Sequence, residues 1–201
     1  MFRPHHCYLS PAYKTLFCAF LVLCGIIFGN TLVRAQSEYE EGYIITNKGD
    51  TLRGKVKYGR KYERSLRCIF IQKGGDDVPV RFAPFTIKGY YVHGESYDSR
   101  IYDYAPELPD GFGVFMQRIL DGPCKIYYYW NTDKEMGFTM TFLDKLGKDM
   151  QEVDFLRLDE QLSEYFKDFP QLSAKIKRHA FKHSELATIV QEYNHWKIKG
   201  Y

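Results

Sequence analysis

The segment GYIITNKGDTLRGKVKYG, Gly42–Gly59, carries the clearest structural pattern in this 201-residue chain. Two runs rich in β-branched and aromatic residues flank the turn sequence NKGD, which ends at Asp50 and contains Gly49. Glycine beside Asn or Asp between two such runs is the strongest short-range signal for a β-hairpin. The residues after these glycines favour a strand, whereas a phosphate-binding loop requires a helix N-terminus. The segment therefore predicts a hairpin with Gly49 in its turn.

The same pattern recurs at regular intervals along the chain. Further hairpins are predicted around the turn sequences KGGDD, HGES, LDGP and KLGKD, and the β-rich runs begin near Gly42, Leu66, Gly89, Gly113 and Gly137. Alternate hairpins open with GYII, GYYV and GFTM, which indicates either a faint repeat or only the shared chemistry of turns. Five hairpins predict about ten antiparallel strands over residues 42–155, in a meander that curls into a barrel-like shape.

After Phe155 the apolar residues recur at the spacing of amphipathic helices. One stripe ends before Pro170 and consists of Leu158, Leu162, Tyr165, Phe166 and Phe169. Pro170 suits the first turn of a short second helix that carries Leu172 and Ile176. Ser184 is a candidate cap for a third helix, whose stripe consists of Leu186, Ile189, Val190 and Tyr193.

The predicted fold class is therefore α+β. It consists of an antiparallel β-meander of about ten strands, curled or barrel-like, followed by two or three C-terminal helices over residues 156–201. Because these helices are amphipathic, we expect them to cover one face or one open end of the sheet.

Residues 1–35 have the pattern of a secretory signal peptide. Arg3 and Lys14 precede the apolar run Thr15–Gly29, and Val33 and Ala35 occupy the small-residue positions of a cleavage site. Cleavage would leave residues 36–201 as a single domain in the periplasm, on the envelope surface or outside the cell. The alternative is an uncleaved N-terminal helix that anchors the protein in the inner membrane.

Charge gives no indication of a polyanionic nucleic-acid partner. The chain has 28 Lys and Arg residues, of which Arg3, Lys14 and Arg34 lie in the predicted signal peptide, so that 25 remain against 25 Asp and Glu residues. A formally neutral mature chain is not expected to bind nucleic acid. Stable membrane insertion is not expected after signal cleavage.

Two cysteines, Cys68 and Cys124, remain beyond the predicted signal peptide. An exported protein matures in an oxidising compartment, where they can form a disulfide. The alternative is two separate buried thiols. His179 and His183 have the spacing of a helical metal pair, but they lie among cations at a predicted helix break, which favours a solvated linker. No metal site and no cofactor are predicted.

The best binding candidates are basic and aromatic strand residues. Arg53, Lys55 and Lys57 alternate with apolar residues and so share one strand face, where they form a candidate surface for an anionic partner. A solvated face is the alternative, and the acidic stretch over residues 95–110 could neutralise the charge. Tyr91, Tyr127 and Tyr129 are candidates for stacking against a ligand, although strand aromatics more often belong to the core.

No motif of a known catalytic type occurs in the chain: G-x-S-x-G, H-E-x-x-H, P-loop, G-x-G-x-x-G and calcium-loop patterns are all absent. The first hypothesis is a non-enzymatic envelope or secreted module that binds a protein or a glycan of the envelope. An enzyme with its site in the mouth of the curled sheet is the second. A small outer-membrane β-barrel is the third, against which the short strand runs and the polar C-terminal helices argue.

Two segments of the chain resemble a family of exported Bacteroidota proteins. One is GYIITNKGDTLRGKVKY near the start of the mature chain, and the other is QLSEYFKDFPQLSAKI, with IVQEYN, near the end. The resemblance implies export from a bacterium with two membranes and one domain that includes both sheet and helices. It brings no activity and no catalytic residues.

Overall fold

Ten strands form a single antiparallel sheet in the computed structural model, which describes residues 38–102, 113–131 and 137–200. The predicted signal peptide and residues 103–110 of the acidic stretch lie outside the described residues. The strands are β1 Tyr39–Thr46, β2 Thr51–Lys57, β3 Cys68–Gln72, β4 Val80–Phe82, β5 Ile87–Val92, β6 Glu95–Ile101, β7 Gly113–Leu120, β8 Cys124–Asn131, β9 Phe138–Lys145 and β10 Gln151–Glu152.

Five helical segments accompany the sheet in the described part of the chain. They are α1 Lys61–Leu66, α2 Leu158–Tyr165, α3 Pro170–Lys177, a 3₁₀ turn His183–Glu185 and α4 Leu186–Ile198. The prediction of an α+β fold with about ten strands and C-terminal helices is confirmed. No described helix combines the length and apolar character that a membrane span needs.

Each of the five predicted turns joins two neighbouring antiparallel strands. Every one of these turns contains a glycine with a positive φ angle, which L-residues with side chains rarely adopt. These glycines are Gly49, Gly74, Gly94, Gly122 and Gly147. The hairpin prediction is therefore confirmed, with Gly49 in the turn between β1 and β2.

The strand order is β4-β3-β2-β1-β5-β6-β7-β8-β9-β10, so two meanders meet where β5 pairs with β1. A single continuous meander would instead have placed β5 beside β4. The edge strands β4 and β10 do not pair with each other in the described structure, and the sheet is open. Turn signals specify only the pairing of consecutive strands, which is why the sequence did not reveal the β1–β5 junction.

The two faces of the sheet follow from the strand register, because directly opposed residues project to the same side. We call the face that the helices cover the helical face. One row of partners lies on it and consists of Leu52, Ile44, Tyr90, Tyr97, Gln117, Tyr128 and Thr141. The opposite row, which defines the open face, consists of Arg53, Tyr43, Tyr91, Ser96, Arg118, Tyr127 and Phe142.

The described helices pack on the helical face. The Tyr90 hydroxyl donates a hydrogen bond to the backbone oxygen of Arg64 in α1, with 2.6 Å between the oxygens. The predicted helical stripes are buried with Cys124, Ile126 and Leu143 in one apolar cluster. Pro170 occupies the first turn of α3 as predicted. Ser184 does not cap α4, because it lies within the 3₁₀ turn and no side chain caps the N-terminus of α4.

Two polar contacts fix the helices to the sheet. Asn194 of α4 accepts a hydrogen bond from the Cys124 N–H at 2.7 Å and donates one to the Cys124 carbonyl at 2.8 Å. This amide takes the place of a neighbouring strand, because the pairing of β7 with β8 extends only as far as Ile126. Lys145 Nζ donates to the carbonyl of Tyr165 at 2.8 Å and to Asp168 Oδ1 at 2.7 Å. Both buried groups are thereby satisfied.

Candidate binding face

All six predicted binding residues project to the open face of the sheet, as their register shows. They fall into three groups that differ in exposure and in partners. Arg53 and Lys55 are exposed and Tyr91 is half-buried, whereas Tyr127 and Tyr129 belong to the core. Lys57 lies beside the exposed cations but has an ionic partner of its own. Of the six, only Arg53, Lys55 and Tyr91 are therefore both accessible and without an ionic partner.

Tyr91 stacks on Tyr43, which is its partner across the β1–β5 junction. The ring centroids are 5.0 Å apart and the ring planes differ by 9°. Both rings are half-buried, and neither hydroxyl has a hydrogen-bond partner in the described structure. Sequence reasoning missed Tyr43, although its alternation with the buried Ile44 was a signal for the opposite face.

Arg53 of β2 lies directly opposite Tyr43 on the same face of the sheet, so that Tyr43 lies between Arg53 and Tyr91. It is exposed, as is Lys55, and neither cation forms an ion pair with another described residue. Lys55 lies opposite Glu41, the one carboxylate in register with this part of the face. Two cations and a pair of tyrosines thus lie side by side where no described helix covers the sheet. We call Arg53, Lys55, Tyr43 and Tyr91 the basic–aromatic surface.

Lys57 does not contribute a free charge to this surface. Its Nζ lies 2.8 Å from Glu38 Oε2, and the hydrogen bond to this carboxylate raises the pKa of Lys57. Two cations of the following helix α1 have partners away from the open face. Lys61 lies 5.2 Å from the ring centroid of Trp130, and Arg64 pairs with Glu95. Lys61 and Arg64 therefore do not extend the surface.

Tyr127 and Tyr129, both predicted as ligand-stacking candidates, are instead core residues. Tyr127 is 0% exposed and Tyr129 is 9% exposed, and both pack with Tyr102, Met116 and Phe142. The Tyr127 hydroxyl donates to Asp98 at 2.7 Å and also contacts Arg100. Burial raises the pKa of Tyr127, and the neighbouring Asp98 raises it further. Their burial matches the core alternative that the sequence also allowed for strand aromatics, so neither ring belongs to an accessible stacking surface.

Charged residues of the acidic stretch form ion pairs with residues of other strands. Asp98 lies 3.6 Å from Arg118, measured between Oδ2 and Nη1, and Arg100 lies 3.3 Å from Asp144. These ion pairs belong to the open face of β6, β7 and β9. Within the described residues, none of them involves Arg53 or Lys55.

Cys68 and Cys124 are free thiols and form no disulfide. Cys68 is buried in one apolar cluster with Val56 and Phe70, whereas Cys124 is buried in another beneath the C-terminal helices. Burial raises the pKa of each thiol to about 12. The structure therefore has two separate buried thiols, which is the alternative to the disulfide.

His179 and His183 do not share a helical face. His179 follows the end of α3 with a positive φ angle and contacts Asp159, and His183 begins the 3₁₀ turn. The two histidines therefore lie in the predicted linker between helices.

A separate groove of about 850 Å³ lies between the β9–β10 hairpin and α2. Its lining is mostly polar and includes Lys148, Asp149, Gln151, Glu160 and Tyr165. None of these residues was a sequence-based candidate. No family model, curated protein or solved structure matches the chain.

Proposed function

We propose that this protein is an exported binding module of the bacterial cell envelope, which binds an anionic glycan through the basic–aromatic surface. The observation that carries the proposal is the side-by-side arrangement of Arg53, Tyr43 and Tyr91 on strands that no described helix covers. Export is supported by the signal-peptide pattern of residues 1–35.

The chemistry of the surface favours an acidic carbohydrate over an uncharged one. Arg53 and Lys55 supply two unpaired cations for carboxylate, sulfate or phosphate groups, and an arginine can bind such a group with two parallel hydrogen bonds. The Tyr43 and Tyr91 hydroxyls are free to bond sugar hydroxyls, while their rings supply apolar contact. The ordered sheet fixes the backbone positions of all four residues, and stacking orients the two tyrosine rings before the ligand arrives, which lowers the entropic cost of binding.

Titration with oligogalacturonides, followed by calorimetry at low and high salt, tests the ligand class. We expect binding that weakens as salt screens the charges, with no binding of neutral dextran oligomers. The double substitution Arg53→Glu and Lys55→Glu is expected to weaken binding about tenfold or more, since each lost contact contributes about 0.5 to 1 kcal/mol and repulsion replaces it.

A matched control separates this surface from net charge. Lys177→Glu with Lys199→Glu makes the same charge change at two exposed positions, in α3 and directly after α4, and it should leave the affinity unchanged. Tyr43→Phe with Tyr91→Phe retains the stacked rings and should weaken binding through loss of the hydroxyls alone. Salt-insensitive binding, or equal weakening by the control, would refute the proposal.

Export can be tested independently by expression in a bacterium with two membranes and N-terminal sequencing of the product. We expect the mature chain to begin at Gln36, because Ala35 occupies the position before the predicted cleavage site. Ala35→Arg should block cleavage and leave the full-length chain. Recovery of the wild-type protein with its first 35 residues intact would contradict cleavage.

A further inference from the structure

The groove between the β9–β10 hairpin and α2 contains an arrangement of two lysines that the proposed binding surface does not use. Lys145 Nζ and Lys148 Nζ both donate to the carbonyl oxygen of Tyr165, at 2.8 Å and 3.2 Å. Two ammonium groups therefore lie within hydrogen-bond reach of a single acceptor. Their positions differ, because Lys145 is 4% exposed whereas Lys148 is exposed and lines the groove.

Lys145 is the better stabilised of the two cations. Its Nζ forms an ion pair with Asp168 at 2.7 Å and lies 5.0 to 5.6 Å from the ring centroids of Tyr193, Tyr165 and Phe166. Carboxylate and ring faces both favour the charged amine. Lys148 shares only the Tyr165 carbonyl and the Tyr165 ring, at 5.1 Å. The repulsion from Lys145 is therefore less well compensated at Lys148, where it disfavours the charged amine.

The surroundings of Lys148 act in the same direction. Burial lowers the pKa of Lys148, the charges of Lys145 and Lys167 lower it further, and Asp168 opposes them. Glu164 also faces this amine, but it pairs with Lys167. A lysine beside a second cation has more free amine at neutral pH, and free amine is the form that attacks carbonyl carbons.

The groove beside Lys148 is suited to a ligand with hydroxyl groups. The side chains of Asp149, Gln151 and Glu160 line it and make no hydrogen bond within the described residues, which leaves them free to bond a ligand. Asp154 and Arg157, which also line the groove, pair with each other at 3.0 Å. The unpaired carboxylates disfavour an anionic ligand.

We propose that Lys148 is a nucleophilic amine that binds a neutral, hydroxyl-bearing aldehyde or ketone as an imine within this groove. The free amine attacks the carbonyl carbon, a carbon–nitrogen bond forms, and the carbon–oxygen bond breaks. The carbonyl oxygen leaves as water with the two amine hydrogens. An open-chain reducing sugar has this chemistry, and the site is independent of the basic–aromatic surface.

Competitive labelling of the wild-type protein tests the reactivity. Glycolaldehyde and cyanoborohydride are added in limiting amount, and the modified lysines are quantified by peptide mass mapping. The reference is Lys73, an exposed lysine in the turn of the β3–β4 hairpin. We expect several-fold faster labelling of Lys148 at neutral pH, since free amine rises about tenfold for each unit by which a pKa is lowered. The difference in labelling rate between Lys148 and Lys73 should disappear above about pH 11, where ordinary lysines are also deprotonated.

Variants separate the contributions of charge and groove. Lys145→Met should reduce the excess labelling of Lys148 without removing it, because burial and the charge of Lys167 still lower the pKa of Lys148. The exposed Lys167→Met should also reduce the excess, without a threat to the core. Propionaldehyde, which lacks a hydroxyl, should show a smaller preference for Lys148 than glycolaldehyde. Glu160→Ala should reduce the preference for glycolaldehyde only. Equal labelling of Lys148 and Lys73 would overturn the nucleophile, and equal preference for both aldehydes would overturn the ligand class.

Discussion

At the scale of single residues, the binary pattern of the strands predicted core positions better than it predicted functional ones. Lys145 continues the alternation that buries Leu143, so it occupies a core position of the helical face despite its charge. Its partner Asp168 lies far along the chain in the loop after α2, and no local signal connects the two. Local pattern could not decide between core and ligand-stacking roles for Tyr127 and Tyr129, because the side chains that cover them come from other strands.

Asp168→Asn should show how much the buried lysine depends on its counterion. Burial alone would raise the pKa of Asp168, but hydrogen bonds from Lys145 and Tyr193 outweigh it and hold the pKa below the usual value of 3.8. A depressed carboxyl pKa stabilises the fold above the unfolded-state pKa, and this stabilisation is lost as pH falls through the folded-state value.

We therefore expect the substitution to cost about 1 to 3 kcal/mol near neutral pH, less than a fully buried pair because the Asp168 side chain is 39% exposed. The difference from wild type should shrink below about pH 4. Urea denaturation over a pH series measures it. Asp76→Asn, at an exposed turn position, should show neither effect, and a pH-independent loss for Asp168→Asn would contradict the ion-pair argument.

At the scale of elements, local chemistry was sufficient wherever the structure is local. Gly49 and Gly147 mark turns that any two adjacent strands need, and Pro170 marks the boundary between α2 and α3. The prediction of where α4 begins was less accurate. Ser184 has the side chain of a cap, but it lies inside the 3₁₀ turn, one residue before the N-cap position of α4. A short polar residue before an apolar stripe is compatible with both arrangements.

Asn194→Ala should reveal how strongly α4 depends on its contact with β8. The 6% exposed amide satisfies both backbone groups of Cys124, and its removal leaves them unpaired and buried. We expect a loss of about 2 to 6 kcal/mol in the free energy of unfolding, from two unsatisfied groups at about 1 to 3 kcal/mol each. Asn47→Ala removes one exposed hydrogen bond, from its amide to the Phe85 carbonyl, and should cost at most about 1 kcal/mol. Chemical denaturation measures the free energy of unfolding of both variants. Similar losses for Asn194→Ala and Asn47→Ala would contradict the argument that Asn194 takes the place of a strand beside Cys124.

At the scale of the whole molecule, the sequence predicted the class and the strand number but not the arrangement of the sheet. The amphipathic stripes required a surface to cover, yet they could not indicate which face of which strands would supply it. The face on which the helices pack determines which strand residues remain accessible. Because the helices pack around Cys124 and Ile126, Arg53 and Tyr91 on the opposite face of β1, β2 and β5 stay accessible. Such long-range choices depend on the register at the β1–β5 junction, which lies beyond local patterns.

The β1–β5 junction also has a consequence for folding kinetics. Among the described strands it is the one pairing that joins strands not adjacent in the chain, so every other part of the sheet can form from contacts of low contact order. As the polypeptide emerges N-terminus first, β1 can close its hairpin with β2 at once, but its other edge stays unpaired until Ile87–Val92 arrives. An unpaired strand edge is a template for association with another chain. The interval between synthesis of β2 and β5 is therefore the period in which nascent chains are most prone to aggregate.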